Sequence, residues 1–256
     1  MNGPLAQRRV LVTRPAGQGE ALVQRLRDGG AHVLYRPTLT IEPLKPDTAA
    51  LAEPPDWIVL TSPNAVRHGH SWLKARDVGG AGGSPRVAAV GPGTAAAARA
   101  VGLSVDVAPR GGGGADDLLA ESAFRPAADE RVLIVRGEGG RRRLQDELRA
   151  GGVRVAEAEV YRRCPVSTDL AVPADWRRHD LDVTIVTSQA GLTALLGMAA
   201  PDALRWLQDS RLVTVSERIA GAARDAGFRD TRVAAGAADA ELEQAAGQAV
   251  RRDAHE

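Results

Sequence analysis

The chain alternates short apolar runs of four to six residues with longer stretches in which apolar positions recur every three or four residues. The short runs are Arg9–Val12, Ala31–Tyr35, Asp56–Leu60, Arg86–Val90, Arg131–Val135, Val153–Ala158, Val183–Val186 and Leu212–Val215. Their length, their branched residues and the amphipathic segments between them predict parallel strands joined by crossover helices. The first helix shows the pattern. Between about Gly19 and Asp28, Leu22, Val23 and Leu26 form one apolar stripe, and Gly29-Gly30 follows where a helix end needs a positive φ. A closing helix is predicted over Ala240–Ala249, ahead of a polar tail.

The second half of the pattern repeats the first. VLVTRPAGQGEALVQRLRDGGAHV from Val10 resembles VLIVRGEGGRRRLQDELRAGGVRV from Val132. DWIVLTSPNAV from Asp56 resembles DVTIVTSQAGL from Asp182, and RVAAVGPGTAAAARAVGL from Arg86 resembles RLVTVSERIAGAARDAGF from Arg211. A spacing that stays between 122 and 126 residues across three separate blocks indicates two related lobes. After each opening block the chain passes through an extended, proline-bearing stretch, Arg36–Pro46 and Tyr161–Pro173. These stretches permit two sequential domains, or two lobes that exchange their opening segments through paired crossover strands. Gly79–Ser84 and Gly111–Gly114 read as loop tips.

Composition narrows the chemistry. At 256 residues the chain is long enough for two domains, and a net charge of +1 gives no field that would draw in nucleic acid or an anionic membrane. Cys164 is the only cysteine, which excludes an internal disulfide framework and suits a reducing compartment. No apolar h-region precedes Arg14 and no apolar run reaches the roughly 18 residues of a membrane span, so a cytoplasmic protein is expected. The basic residues are arginines apart from Lys45 and Lys74, a bias that carries no functional message by itself.

In open parallel sheets, ligands gather at the carboxyl ends of strands, beside the next helix N-terminus. Those corners read Thr13-Arg14-Pro15, Thr61-Ser62-Pro63-Asn64, Gly91-Pro92-Gly93-Thr94, Arg136-Gly137-Glu138-Gly139-Gly140-Arg141, Thr187-Ser188-Gln189 and Ser216-Glu217-Arg218. Helix-start N–H groups and short hydroxyls bind carboxylates, and arginine grips them with two donors. Ser62, Thr94 and Ser188 also fit simple N-caps. Repetition of such corners in both lobes points to a donor-rich cleft for a large, flexible anion.

Rival chemistries fit less well. Gly91-Pro92-Gly93-Thr94-Ala95-Ala96 matches the weak form of a dinucleotide fingerprint, but no acidic residue follows about 20 positions on. No P-loop is present, neither lysine sits where Schiff-base chemistry would use it, and His68 and His70 lie two apart, on different faces of a helix. No metal site is expected, and His68 and His70 are expected at the surface.

Taken together, VTRP at Val12, TSPNAV at Thr61, VGPGTA at Val90, RGEGGRRRLQDELRAGGVRVAEAEVYRR from Arg136, TSQAGL at Thr187 and VSER at Val215 resemble the uroporphyrinogen-III synthase family, in its order and over almost the whole chain. The resemblance implies an α/β fold of two similar lobes, each a parallel sheet flanked by helices, joined by a two-stranded connector with the active-site cleft between them. Residues 1–36 with 165–256 would form one lobe, 41–159 the other, and 37–40 with 160–164 the connector. The implied reaction takes hydroxymethylbilane, a linear tetrapyrrole with eight carboxylates, to uroporphyrinogen III by loss of water, ring closure and inversion of ring D, in haem biosynthesis. Neither metal nor organic cofactor is implied, the partner is the small-molecule substrate alone, and a monomer is expected.

Tyr161 falls on the family's tyrosine and is the expected proton donor to the departing hydroxyl; a connector-packing role is the alternative. The expected substrate-binding residues are Arg14, Ser62, Asn64, Gly93, Thr94, Arg136, Gly137, Arg141, Ser188, Gln189 and Ser216. One corner departs from the family's glycine-threonine form, because Ser216-Glu217-Arg218 places a carboxylate where it would repel a substrate carboxylate unless turned away. Two other readings fit the same corners: a noncatalytic sensor of a tetrapyrrole precursor, and a general two-lobed binder of small carboxylates.

Overall fold

The computed structural model describes residues 3–75, 85–111 and 114–251. The Gly79–Ser84 loop tip, Gly112 and Gly113 of the second glycine run, and the end of the polar tail lie outside the described residues.

In chain order, β1 (Arg9–Val12), α1 (Glu20–Asp28), β2 (His32–Tyr35) and β3 (Leu39–Pro43) lead to a 3-10 turn at Thr48–Leu51. Then come β4 (Trp57–Leu60), α2 (Pro63–Lys74), β5 (Arg86–Ala89), α3 (Pro92–Ala100), α4 (Ala115–Ala120), β6 (Arg131–Gly137), α5 (Arg143–Ala150) and β7 (Arg154–Pro165). The chain continues with α6 (Ala174–Arg177), β8 (Val183–Ile185), α7 (Gln189–Met198), α8 (Pro201–Gln208), β9 (Arg211–Thr214), α9 (Glu217–Asp225), β10 (Asp230–Val233) and α10 (Asp239–Val250). These elements fall into two compact units, Met1–Ile41 with Cys164–Glu256 and Glu42–Arg163. Among the described residues no helix is long and apolar enough to cross a membrane.

The first unit is built on a sheet of order β10-β9-β8-β1-β2, with every neighbouring pair parallel. A parallel strand in the middle of such a sheet is covered on both faces, which is why β1 reads as continuous apolar sequence. Val10 and Val12 join Leu22, Leu26 and Leu242 of α1 and α10 on one face. Leu11, between them, joins Leu192, Leu207 and Ile219 of α7, α8 and α9 on the other. Helix α1 stops at Gly29, and Gly30 takes the left-handed conformation (φ 88°) that lets the chain turn into β2.

The second unit has the order β3-β7-β6-β4-β5, in which β4 pairs with β5 and β6, and β6 with β7, all parallel. Trp57, Val59, Val132 and Ile134 pack with Leu118, Phe124, Leu144 and Leu148, and the Trp57 and Phe124 rings meet edge to face at 5.1 Å. Helix α2 covers the opposite face closely: a Cβ on Gly69 would stand 2.8 Å from Val135 Cγ1. Both units are thus parallel α/β layers flanked by helices, the expected fold class.

Two stretches differ from the sequence reading. Strand β7 continues to Pro165, five residues into what periodicity alone reads as a linker and through the connector positions that the resemblance implies, because Val160 O accepts from Leu44 N–H (2.9 Å) and Val166 N–H donates to Thr38 O (3.0 Å). Proline is tolerated at that strand end, where no ladder donor is needed. Strand β10 has no alternating apolar signal: Asp230-Thr231-Arg232-Val233 sits at a sheet edge with Val233 40% exposed.

A single carboxylate ties β6, β7 and α5 together. Glu157 on β7 accepts from Arg136 Nη1 (2.9 Å), Gln145 Nε2 (3.0 Å), Arg142 Nη2 (3.1 Å) and Arg149 Nη2 (3.0 Å). Burial by itself would raise its pKa, yet the hydrogen bonds from Gln145, Arg149 and Arg136 outweigh that and hold it below the ordinary 4.5.

This packing sets the stability of two variants. Gly69→Ala gains about 1 kcal/mol of helix propensity but incurs an overpacking cost of about 1–3 kcal/mol, so a net loss is expected in urea or thermal melts. An unchanged or raised Tm would show that α2 has room to move off the sheet. For Glu157, a folded pKa below the unfolded value contributes stability that is present above pH 4.5 and lost as pH falls through the folded pKa. Glu157→Gln is therefore expected to be less stable than the parent by about 1–3 kcal/mol at neutral pH. The two stability curves converge in acid, and parallel curves across pH would remove Glu157 from the acid response.

Candidate functional site

The carboxyl ends of β4, β6 and β7 in the second unit bring five of the sequence-predicted residues together. Ser62, two residues after the end of β4, is extended (φ −168°, ψ 162°), and its Oγ accepts the Ala65 N–H at 3.0 Å, so it does cap α2. The same oxygen lies 3.1 Å from Tyr161 Oη. The hydroxyl therefore serves the helix and the phenol at once.

Tyr161 reaches that position through a slip in the β6–β7 ladder. Arg136 stands opposite Glu159, but Gly137 stands opposite Tyr161, so Val160 is the extra residue of a bulge. Tyr161 is 1% exposed, and its ring lies so close to the Gly137 backbone that a Cβ there would be 2.5 Å from Cζ. Only glycine leaves that space open. The Tyr161 carbonyl is held by Glu138 N–H at 2.7 Å.

Beyond Gly137 the chain turns through Gly139 (φ 69°) and Gly140 (φ 88°) into α5, a path that needs left-handed backbone at both positions. Arg136 runs inside this turn, 6% exposed, donating to Gly137 O (3.1 Å), to Gly139 O and to Glu157. Its donors shape the loop, whereas the sequence suggested a substrate partner. Arg141, at the end of the loop, is exposed and has no acidic partner among the described residues. The loop, Ser62, Tyr161 and the start of α4 enclose a pocket of about 470 Å³ with Arg136, Gly137, Arg141 and Arg163 in its wall.

The remaining predicted residues are placed elsewhere. Asn64 is buried in the first turn of α2, and Gly93 and Thr94 begin α3, where Gly91 takes the N-cap position and Thr94 is buried at 4% exposure. None of the three lines that pocket. In the first unit, Arg14 pairs with Asp239 and donates to Ala237 O at 2.8 Å. Ser188 caps α7 by accepting the Gly191 N–H at 3.0 Å, and Gln189 is the first residue of that helix. Ser216 stands at the N-cap of α9 without a side-chain capping bond, and the Glu217 carboxylate is paired with Arg224.

Three features escaped the sequence reading. Arg163, two residues beyond Tyr161 on the same strand face, donates from Nη2 to Tyr161 Oη at 2.6 Å and lies with Cζ 5.0 Å from the ring centroid. The two-residue alternation of β7 carried that signal. His68 is half-buried where exposure was expected, its ring 5.8 Å from that of Tyr161 because α2 presents this turn to the strand ends. Burial, and secondarily Arg67, lower the His68 pKa below 6.5 and favour the neutral ring. His70, also half-buried where exposure was expected, has its ring at the α2 carbonyls of Val66 and Arg67. In the first unit Tyr35 packs against Gly19, where a Cβ would be 2.6 Å from its ring, but its Oη donates to Pro15 O at 2.9 Å. Burial and the Glu20 carboxylate push Tyr35 up to about 12, so it stays a fixed internal donor.

Comparison with known proteins addresses the chain as a whole. A family model described as uroporphyrinogen-III synthase HemD matches residues 20–242. The chain is 35% identical to the uroporphyrinogen-III synthase of Escherichia coli over 237 residues, covering 88% of this chain and 94% of that protein. Identity to the Salmonella typhimurium enzyme is also 35%, over 234 residues, with the same coverage. Among solved structures, a mutant uroporphyrinogen III synthase from the extreme thermophile Thermus thermophilus superposes with a TM-score of 0.63 at 18% identity, covering 96% of this chain and 99% of that one. The enzyme from Helicobacter pylori gives 0.56 at 14% identity, with 93% and 97% covered. These two show a shared fold; the family match over most of the chain, with a third of its residues retained in the enterobacterial proteins, shows that this chain belongs to the uroporphyrinogen-III synthase family.

Proposed function

We propose that the chain converts hydroxymethylbilane into uroporphyrinogen III, losing water, closing the macrocycle and inverting ring D. The observation that carries this reading is a buried phenol, Tyr161, set in the wall of a pocket shared with Arg141, whose guanidinium has no acidic partner among the described residues. A polycarboxylate substrate supplies its own electronic drive: pyrrole electrons expel the hydroxymethyl oxygen and spread the resulting cation over the conjugated ring. The protein then needs a proton donor for the leaving oxygen, cationic and N–H groups for the carboxylates, and a folded pose. Tyr161 supplies the proton. Arg141 and the N–H groups of the loop before α5 hold a propionate or acetate near it. Ser188, Gln189 and Ser216 at their helix starts, Asn64, Gly93 and Thr94 at theirs, and Arg14 are assigned to other substrate carboxylates.

In the same reading the enzyme is a cytoplasmic monomer that uses neither cofactor nor nucleic acid; the near-neutral charge and the single cysteine support it. A sensor would have no use for a buried proton donor.

Freshly prepared hydroxymethylbilane, supplied to the purified chain in chelator, is expected to give the type III porphyrin isomer after oxidation. Recovery of the type I isomer alone, the product of unassisted closure, would overturn the assignment. Arg141→Ala is expected to raise KM about fivefold with kcat little changed, the signature of a group that grips substrate and transition state alike at about 1 kcal/mol. An unchanged KM would move the carboxylate site away from this loop.

A further inference from the structure

We propose that Arg163 and Ser62 are positioning residues that aim the Tyr161 proton into the pocket and hold the phenolate left after its transfer. The inference rests on the assignment of Tyr161 as proton donor and goes beyond it. A phenol oxygen has one proton and two acceptor sites. Arg163 can only donate, and its Nη2 lies 2.6 Å from Tyr161 Oη, so one acceptor site is filled. Ser62 Oγ, 3.1 Å away, accepts the Ala65 N–H with one lone pair and keeps a proton of its own; either hydroxyl of the pair can be the donor, and we take Ser62 as the donor to the second site. In that arrangement both acceptor sites of the phenol are occupied by donors and its proton is directed to the pocket that Ser62, Tyr161 and Arg163 all line.

The ring has little freedom to turn away. Gly137 backbone lies against its hydroxyl end and the His68 ring sits 5.8 Å off. The first unit provides the contrast: Tyr35 gives its proton to Pro15 O and has none to offer a ligand.

The step balances within this set of groups. The C–O bond of the hydroxymethyl group breaks with its electron pair going to oxygen, which takes the Tyr161 proton and departs as water. The phenolate keeps the pair of its former O–H bond, stabilised by the guanidinium and the serine hydroxyl. Ring closure then forms a carbon–carbon bond, and the proton lost from the attacked pyrrole as it regains aromaticity restores the phenol.

The test is a double-mutant cycle on the full chain with hydroxymethylbilane, reading kcat and KM separately. Arg163→Met is expected to lower kcat about tenfold with KM within about twofold, and Arg163→Lys, which keeps a donor, to recover most of the loss. Because Arg163 acts through the phenol, the double variant Tyr161→Phe with Arg163→Met should be no slower than Tyr161→Phe alone. Ser62→Ala provides a second arm with the same expected non-additivity; its melting temperature is read first, since the change also removes the cap of α2. Multiplicative losses in the Tyr161→Phe background overturn the proposal, as does a rise in KM at constant kcat, which would make Arg163 a carboxylate binder. Full activity of Tyr161→Phe overturns the proton-donor assignment itself, a result distinct from additivity beneath a slow Tyr161→Phe.

Discussion

The close approach of the Tyr161 ring to the Gly137 backbone is the contact on which the site depends. It exists because β7 carries one residue more than β6 at the carboxyl end of their ladder, so that a large aromatic side chain arrives opposite the one residue without a Cβ. Without the extra residue the ring would meet a different neighbour. With any side chain at position 137 it would be displaced from Ser62 and Arg163 together. Packing and hydrogen bonding around the phenol are therefore set by one backbone irregularity.

The surrounding sheet tolerates that irregularity. Strands β4 and β6 are buried on both faces and held in unbroken parallel register from Trp57 to Leu60 and from Val132 to Val135. The slip begins only where this register ends, so the core keeps its pairing while the loop above is free to bend through Gly139 and Gly140. Rigid strands beneath and a glycine turn on top give a binding loop that is shaped without being packed into the interior.

Much of this was legible in the sequence because it depends on local pattern. Continuous apolar runs marked the central strands, Gly30 marked a helix end, the strand-end corners marked Ser62, Gly137 and Arg141, and the family resemblance marked Tyr161. What escaped depends on tertiary context. Strand β10 carries no apolar alternation since an edge needs none, and β7 continues past its apolar stretch because neighbours supply its backbone partners. Arg136 has the composition of an anion grip, yet its neighbours Glu157 and Gly139 engage it from inside, information that no linear spacing contains. His68 looked like a surface residue because helix periodicity shows which residues share a face but not what that face meets.

Glu157 also bears on turnover. By engaging Arg136, Arg142 and Arg149, its single negative charge offsets one of their three positive charges, and Arg141 and Arg163 are the pocket arginines without an acidic partner among the described residues. In the proposed reaction substrate and product carry the same eight carboxylates, so each added free cation would tighten both equally and speed neither bond breaking nor ring closure. Restraint in positive charge lets a polyanion leave after it has been cyclised. In the proposed reaction the internal carboxylate thereby trims by one charge the pull of this loop on the product.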